Sequence, residues 1–212
     1  GFFNRVIIHF SEHNRQPYFD HFIHSSLSSC KNITFLDQVE IDWGKEDWRN
    51  KSTNEMLNYS NSEWVASIEQ DWFSSDWDKL LNLINDNMKS SDMFGWMSKT
   101  ANSYIHPSFW FIKRELLEKT SRDFSPHSEI VGSDHFAQIT YDAKALGAKI
   151  GELPVGEVNP DALAFHLGGV NQNYLDGMRH DVFHRPDIFF VYNYFCRLAL
   201  VPQDKRFTEL SL

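Results

Sequence analysis

Apolar residues fall in short blocks separated by polar turns, and the spacing within each block follows one of the two periods that strands and helices impose. The run Arg5-Val-Ile-Ile-His-Phe10 is short, rich in β-branched residues and followed by the polar loop Ser11 to Gln16, which predicts a first buried strand. After Pro17, a residue suited to a first helical turn, Tyr18, Phe19, Phe22, Ile23 and Leu27 recur at helical spacing. A second strand is expected within Ile33 to Ile41, closed by Asp42-Trp43-Gly44, and residues 46–60 form a weaker helical segment. Glu63 to Ile68 predicts a third strand that runs straight into Glu69-Gln70-Asp71. Trp77, Leu80, Leu81, Ile84 and Met88 then mark one face of an amphipathic helix, with Ser75 or Asp76 as its N-cap. Met93 to Met97 predicts a strand and Ser108 to Lys119 a helix. Phe136, Ile139, Ala143 and Leu146 predict another helix, stopped by Gly147 before the strand-like Ala148 to Leu153.

Alternation of strand and helix through the first half predicts an α/β fold, with a mostly parallel central sheet flanked by helices. The 212 residues, 42% hydrophobic and 15% aromatic, are enough for one full core. No linker or repeat divides them, so a single domain over 1–212 is expected, with 171–212 as a C-terminal helical extension. Ile188 to Val201 is too short to span a bilayer and contains Asn193 and Arg197; a packed helix is the main reading, peripheral membrane contact the minor one. Cys30 and Cys196 have no metal-binding spacing and read as reduced thiols, which fits a cytoplasmic protein. Three Asn-x-Ser/Thr triplets in an Asn/Ser-rich chain argue only weakly for secretion.

Charge narrows the partners. Twenty basic against 29 acidic residues give a net charge of −9 with no Lys/Arg run, so the footprint of a nucleic-acid binder is missing. Phosphates could still be bound through a divalent cation. In open α/β sheets ligands bind beyond the carboxyl ends of the strands, which is where Glu69-Gln70-Asp71 stands. Two carboxylates one residue apart can both reach a hard cation and leave room for a diphosphate, although an isolated acidic triplet is more often a solvated turn. Asp134 opens the helix near His135 as either a functional carboxylate or a cap. Trp72 and Trp110 read first as core, and secondly as aromatic faces for a sugar ring.

Three blocks, taken in order, resemble the family 2 glycosyltransferases. Ser52 to Asp71 is similar, without a gap, to the family pattern ARNxGixxAxGeyixflDxD; it keeps Asn54 and Asp71, while Glu69 replaces the first Asp. Ile41-Asp42-Trp43-Gly44 resembles the DxGS turn, and Gly132 to Ile150 resembles gEDxdLxxRxxxxGxki, with Ser133 in place of Glu. Tyr104 to Leu117 is similar to the segment before the base, where a strand and short helix shape the acceptor side. The resemblance covers roughly residues 5–170 and implies the glycosyltransferase A fold.

It also implies roles. Asp134 is the catalytic base; Glu69, Asp71 and the late His166 hold Mn²⁺ or Mg²⁺; Phe10, Ser11, Glu12, Asp42, Asn54 and Gln70 meet the nucleotide sugar. The expected reaction is metal-dependent, inverting transfer from a nucleoside-diphosphate sugar to a hydroxyl of a glycan, a lipid-linked acceptor or a protein. Two other classes stay open: an inactive nucleotide-sugar or carbohydrate-binding module of the same fold, and a metal-dependent phosphate-ester hydrolase using Glu69, Asp71 and His166.

Overall fold

The computed structural model describes residues 6–10, 33–37, 48–59, 61–69, 72–74, 76–98, 103–129, 133–157 and 163–166. The chain divides into two compact units, Gly1–Ile41 with Leu167–Leu212, and Asp42–His166. In the first, β1 (Val6–Phe10) and β2 (Ile33–Asp37) pair in parallel, from Val6 beside Ile33 to Phe10 beside Asp37. Both stand where the apolar runs predict strands. The helix expected after Pro17 and the one expected over 188–201 lie outside the described residues.

The second unit runs α1 (Trp48–Leu57), β3 (Trp64–Ile68), β4 (Trp72–Ser74), α2 (Trp77–Ser90), β5 (Met93–Met97), β6 (Ile105–Lys113), α3 (Arg114–Leu117), α4 (Ala137–Ala145), β7 (Ile150–Glu152), β8 (Val155–Glu157) and β9 (Ala164–His166). Its main sheet has the order β3-β6-β5-β7, with β6 antiparallel to both neighbours and β7 parallel to β5. The fold is α/β, but this sheet is mixed, which corrects the expectation of a mostly parallel one. The cause is the β5–β6 connection, residues 98–104. A parallel return needs a crossover of a dozen or more residues, so β6 must come back antiparallel.

The helix expected over Ser108 to Lys119 is also corrected. The chain stays extended to Lys113 and is helical only over the single turn of α3, the strand and short helix that the family resemblance implies. Residues 105–113 are buried on both faces of a central strand and mostly apolar, and such a run carries no period that separates strand from helix. On one face Trp110 and Ile112, with Met93 and Ile105, pack against Leu57, Leu116, Leu117, Phe124, Phe136, Ile139 and Ala143. On the other, Phe111 stacks on Phe94 at 4.7 Å, and Trp72 lies 4.8 Å from Phe109 and 5.5 Å from Trp96. Trp72 and Trp110 are therefore buried core residues. β5 and β6 thus bury apolar side chains on both sides of the sheet.

Helix α2 covers the Phe94 side. Asp76 caps it by accepting from the Lys79 N–H at 2.9 Å, and Leu80 and Ile84 are buried, whereas Trp77 in the first turn is exposed. Its last turn passes so close to β7 that a Cβ on Gly151 would meet Asn87 Oδ1 and Ser91 Oγ at 2.6 Å each. Gly95 in β5 is tighter still, because a Cβ there would lie 2.3 Å from the Phe109 carbonyl oxygen. The β5–β6 register shifts between Gly95 and Met97, and Pro107 falls in the irregular stretch of β6 opposite, where a residue lacking N–H disturbs the regular ladder least.

At the far end of the sheet, Asp92 ties three strands together. Its carboxylate accepts from Lys113 Nζ at 2.8 Å and from the Lys149 N–H at 3.0 Å. The hydrogen bond from Lys113 is the main reason the Asp92 carboxyl is held below the usual range. Asp142 on α4 is also held low: burial opposes ionisation, but the hydroxyl and N–H of Ser121, with Gln138, outweigh it. Both folded-state values are depressed, so the stability these groups contribute is present above the unfolded carboxyl value, about pH 4, and is lost as pH falls through the folded values. Urea midpoints should hold near neutrality and fall below about pH 4. Asp142→Asn should flatten that fall, and an unchanged acid slope would remove Asp142 from the account.

Candidate functional site

β3 and β5 are both antiparallel to β6, and β7 is parallel to β5, so these three strands point the same way. Their carboxyl ends, Ile68, Met97 and Glu152, share one edge of the sheet with the start of β6. Glu69, the first residue beyond β3, is half-buried there and donates its N–H to the Ser108 carbonyl at 2.9 Å. A second sheet, ordered β4-β9-β8, begins just past this point. Antiparallel pairing places His166 opposite Trp72, and parallel pairing places Glu157 beside His166. The strand carrying His166 thus runs alongside the strand that directly follows Asp71.

Gln70, Asp71, Ser11, Glu12 and Asp42 lie outside the described residues. Phe10 ends β1 in the first unit, beside Asp37. Asn54 sits on α1, where its amide donates to Asn50 and to the Arg122 carbonyl at 3.2 Å and its oxygen accepts from Arg122 Nε at 3.0 Å. These bonds fasten α1 to the segment leading to Phe124. Among the described residues, no three His, Cys, Asp or Glu side chains gather as a metal site would require; Asp71 is not one of those residues.

Asp134 stands at the same edge as Glu69. Its N–H donates to the Tyr104 hydroxyl at 3.0 Å, just before β6, and Oδ1 accepts from the His135 N–H at 2.7 Å. Oδ2 lies 3.7 Å from His106 Nε2, and 43% of the Asp134 side chain is exposed. Neither Asp134 nor Ser133 caps α4. The N-cap is Phe136, with no side-chain cap bond, and the Ser133 hydroxyl instead donates to the His127 carbonyl at 3.0 Å.

Phe136 holds φ at 74°, a left-handed conformation that bulky residues rarely adopt. Its ring stacks on Trp110 at 4.4 Å and lies 5.8 Å from Phe124, and its N–H donates to the Phe124 carbonyl at 3.2 Å. A strain of about 1–3 kcal/mol persists only where the surroundings over-determine the conformation, as this ring stack does. Two residues before the strained point, the turn presents the Asp134 carboxylate.

Three residues emerge that the motifs did not single out: Tyr104, His106 and Ser108. Nδ1 of His106 is 2.8 Å from Ser108 Oγ, and its ring centroid is 4.1 Å from that of Trp96. The available signal was polarity, since His106 and Ser108 interrupt a strand that is otherwise apolar on both faces.

No family model matches this chain, and no curated protein is found that matches it. Among solved structures, it is similar to the bifunctional IspDF from Campylobacter jejuni, with a TM-score of 0.39 and 16% identity over 80% of this chain. It spans 42% of that protein's chain. It is also similar to A197 from STIV, with a TM-score of 0.41 and 15% identity over 71% of this chain and 82% of that one. No helix among the described residues is long and apolar enough to cross a membrane.

Proposed function

We propose that this chain is an enzyme, a metal-dependent glycosyltransferase that moves a sugar from a nucleoside-diphosphate donor to a hydroxyl acceptor with inversion. The observation that carries the reading is the position of Asp134. A partly exposed carboxylate, fixed at its backbone by Tyr104, stands at the same sheet edge as Glu69, which hydrogen-bonds to the neighbouring Ser108. The order of motifs from Asn54 to Asp134 supports the same reading.

Glu69, Asp71 and His166 form a carboxylate-rich donor set suited to Mn²⁺ or Mg²⁺, and β9 running beside β4 fits that set. When bound, the cation would offset charge on the departing diphosphate. The residues of the chain do the rest. Asp42 and Gln70 are proposed to hold the nucleotide sugar, while Asn54 braces α1. Asp134 removes the acceptor's hydroxyl proton as that oxygen bonds to the anomeric carbon. The bond from that carbon to the diphosphate oxygen breaks on the opposite face, which inverts the configuration.

The direct test supplies Mn²⁺ and a panel of nucleotide sugars, with binding followed by calorimetry and transfer or donor hydrolysis by product analysis. Metal-dependent binding of one donor and its turnover are expected, and both should vanish with EDTA. A folded protein that binds no donor defeats the reading. Donor binding without turnover would identify the inactive binding module instead.

A further inference from the structure

We infer that His106 is a positioning residue for Asp134, acting as a neutral imidazole that aims an Nε2–H at the carboxylate. The inference rests on the proposed role of Asp134 as base. It is carried by the hydrogen-bond chemistry around the ring. The Ser108 backbone N–H donates to His106 Nδ1 at 3.3 Å. A backbone N–H can only donate, so Nδ1 presents a lone pair, and in a neutral imidazole the single hydrogen then resides on Nε2. Ser108 Oγ, 2.8 Å from the same nitrogen, can add a second donor from its hydroxyl. Nε2 is the atom that faces Asp134 Oδ2 at 3.7 Å.

The ring is held in place. Trp96 packs against it at 4.1 Å between centroids, Ser108 behind it is fully buried, and only 21% of the His106 side chain is exposed. Burial of Ser108 also excludes the other reading of a Ser, His and Asp in series, because a nucleophilic hydroxyl must be reachable by substrate. The relay instead runs outward, from the buried serine through the imidazole to the partly exposed carboxylate. A separation of 3.7 Å is too long for a direct hydrogen bond, but contacts at catalytic carboxylates commonly shorten when substrate is bound. Asp134 Oδ1 is already committed to the His135 N–H. A donor at Oδ2 would fix the remaining rotation of the carboxylate and so the direction in which it meets an acceptor hydroxyl.

Two measurements on the full chain test this. The first is long-range ¹H–¹⁵N correlation of the histidine rings at about pH 8, above the ordinary imidazole range. His106, assigned by the peak lost in His106→Gln, should show the Nε2–H tautomer. An Nδ1–H tautomer overturns the inference whether or not transfer is detected. The second is kinetic. His106→Ala should lower kcat between about 10- and 100-fold with the donor KM unchanged, the size expected from misaligning a reacting group. His106→Gln, whose amide nitrogen can reach the Nε2 position, should recover most of that loss.

Equal kcat for the Ala and Gln variants, at any level, overturns the positioning role. Thermal melts establish that both variants are folded, and if the Ala variant is not, Gln against wild type decides, a fall of tenfold or more counting against the role. Full turnover by Asp134→Asn, or no transfer by the wild type with any donor, is a failure of the base reading itself. Full turnover by His106→Ala beside an inert Asp134→Asn is a failure of this inference alone.

Discussion

Asp134→Asn should lower transfer by about 10²- to 10⁴-fold, the range that a positioned general base contributes, while donor affinity stays as in the wild type. The replacement is nearly isosteric, and an amide oxygen can still accept the His135 N–H that Oδ1 accepts now. Its backbone bond to Tyr104 is untouched, so the turn before α4 keeps its geometry. Only the capacity to take a proton is lost. Turnover at saturating donor, set beside donor affinity from calorimetry, separates the two effects. A variant with wild-type kcat would remove Asp134 from the mechanism, and one that lost donor binding would make it a binding residue.

The largest expected effect on stability comes from a site with no chemistry. Gly95→Ala adds a Cβ that would lie 2.3 Å from the Phe109 carbonyl oxygen, 2.8 Å from Ile105 Cγ2 and 3.0 Å from the Trp110 Cα. Two of these three atoms belong to the backbone of β6, so no rotamer change relieves the contact. Overpacking typically costs 1–3 kcal/mol where side chains can yield, so this variant should lose about 3 kcal/mol or more. Against a total stability of about 5–15 kcal/mol, that is enough to depopulate the fold on mild heating. Gly147→Ala is the internal comparison. It meets nothing within 4 Å and carries only the strain of φ at +75°, a cost of about 1–2 kcal/mol. Urea denaturation of both variants checks the ranking, and equal midpoints would show that β5 and β6 can separate freely at Gly95.

Much of the second unit was legible where one period dominated a segment. The run EWVASI gave β3, Met93–Met97 gave β5 within its observed bounds, and Leu80 with Ile84 located the buried stripe of α2. β6 was misread as a helix because both of its faces are buried, which erases alternation. β4, β8 and β9 have three residues each, too few to display any period, and they exist only through pairing with one another. Within the candidate site, motif order singles out Asp134 as a candidate in the sequence itself. His106 could not, since its meaning depends on Ser108, Trp96 and a turn that lies 28 residues downstream in the sequence and is brought close only by the fold. The direction of β6 was set by the length of a connection, a quantity that the hydrophobic pattern of the strand itself does not contain.

Phe136 ties the Asp134 turn to the interior of the unit. Its left-handed backbone is held by its ring's place against Trp110 and Phe124. Packed interiors are dense and yield little, so a ring seated in such a stack has little room to shift. The turn is therefore anchored to the core through this ring, and the placement of the carboxylate depends on that anchor. An ordinary surface loop is held by its own bonds alone; here a buried phenylalanine two residues on adds to the Tyr104 and His135 bonds, so a substitution that loosened the ring would loosen the carboxylate's placement without touching it.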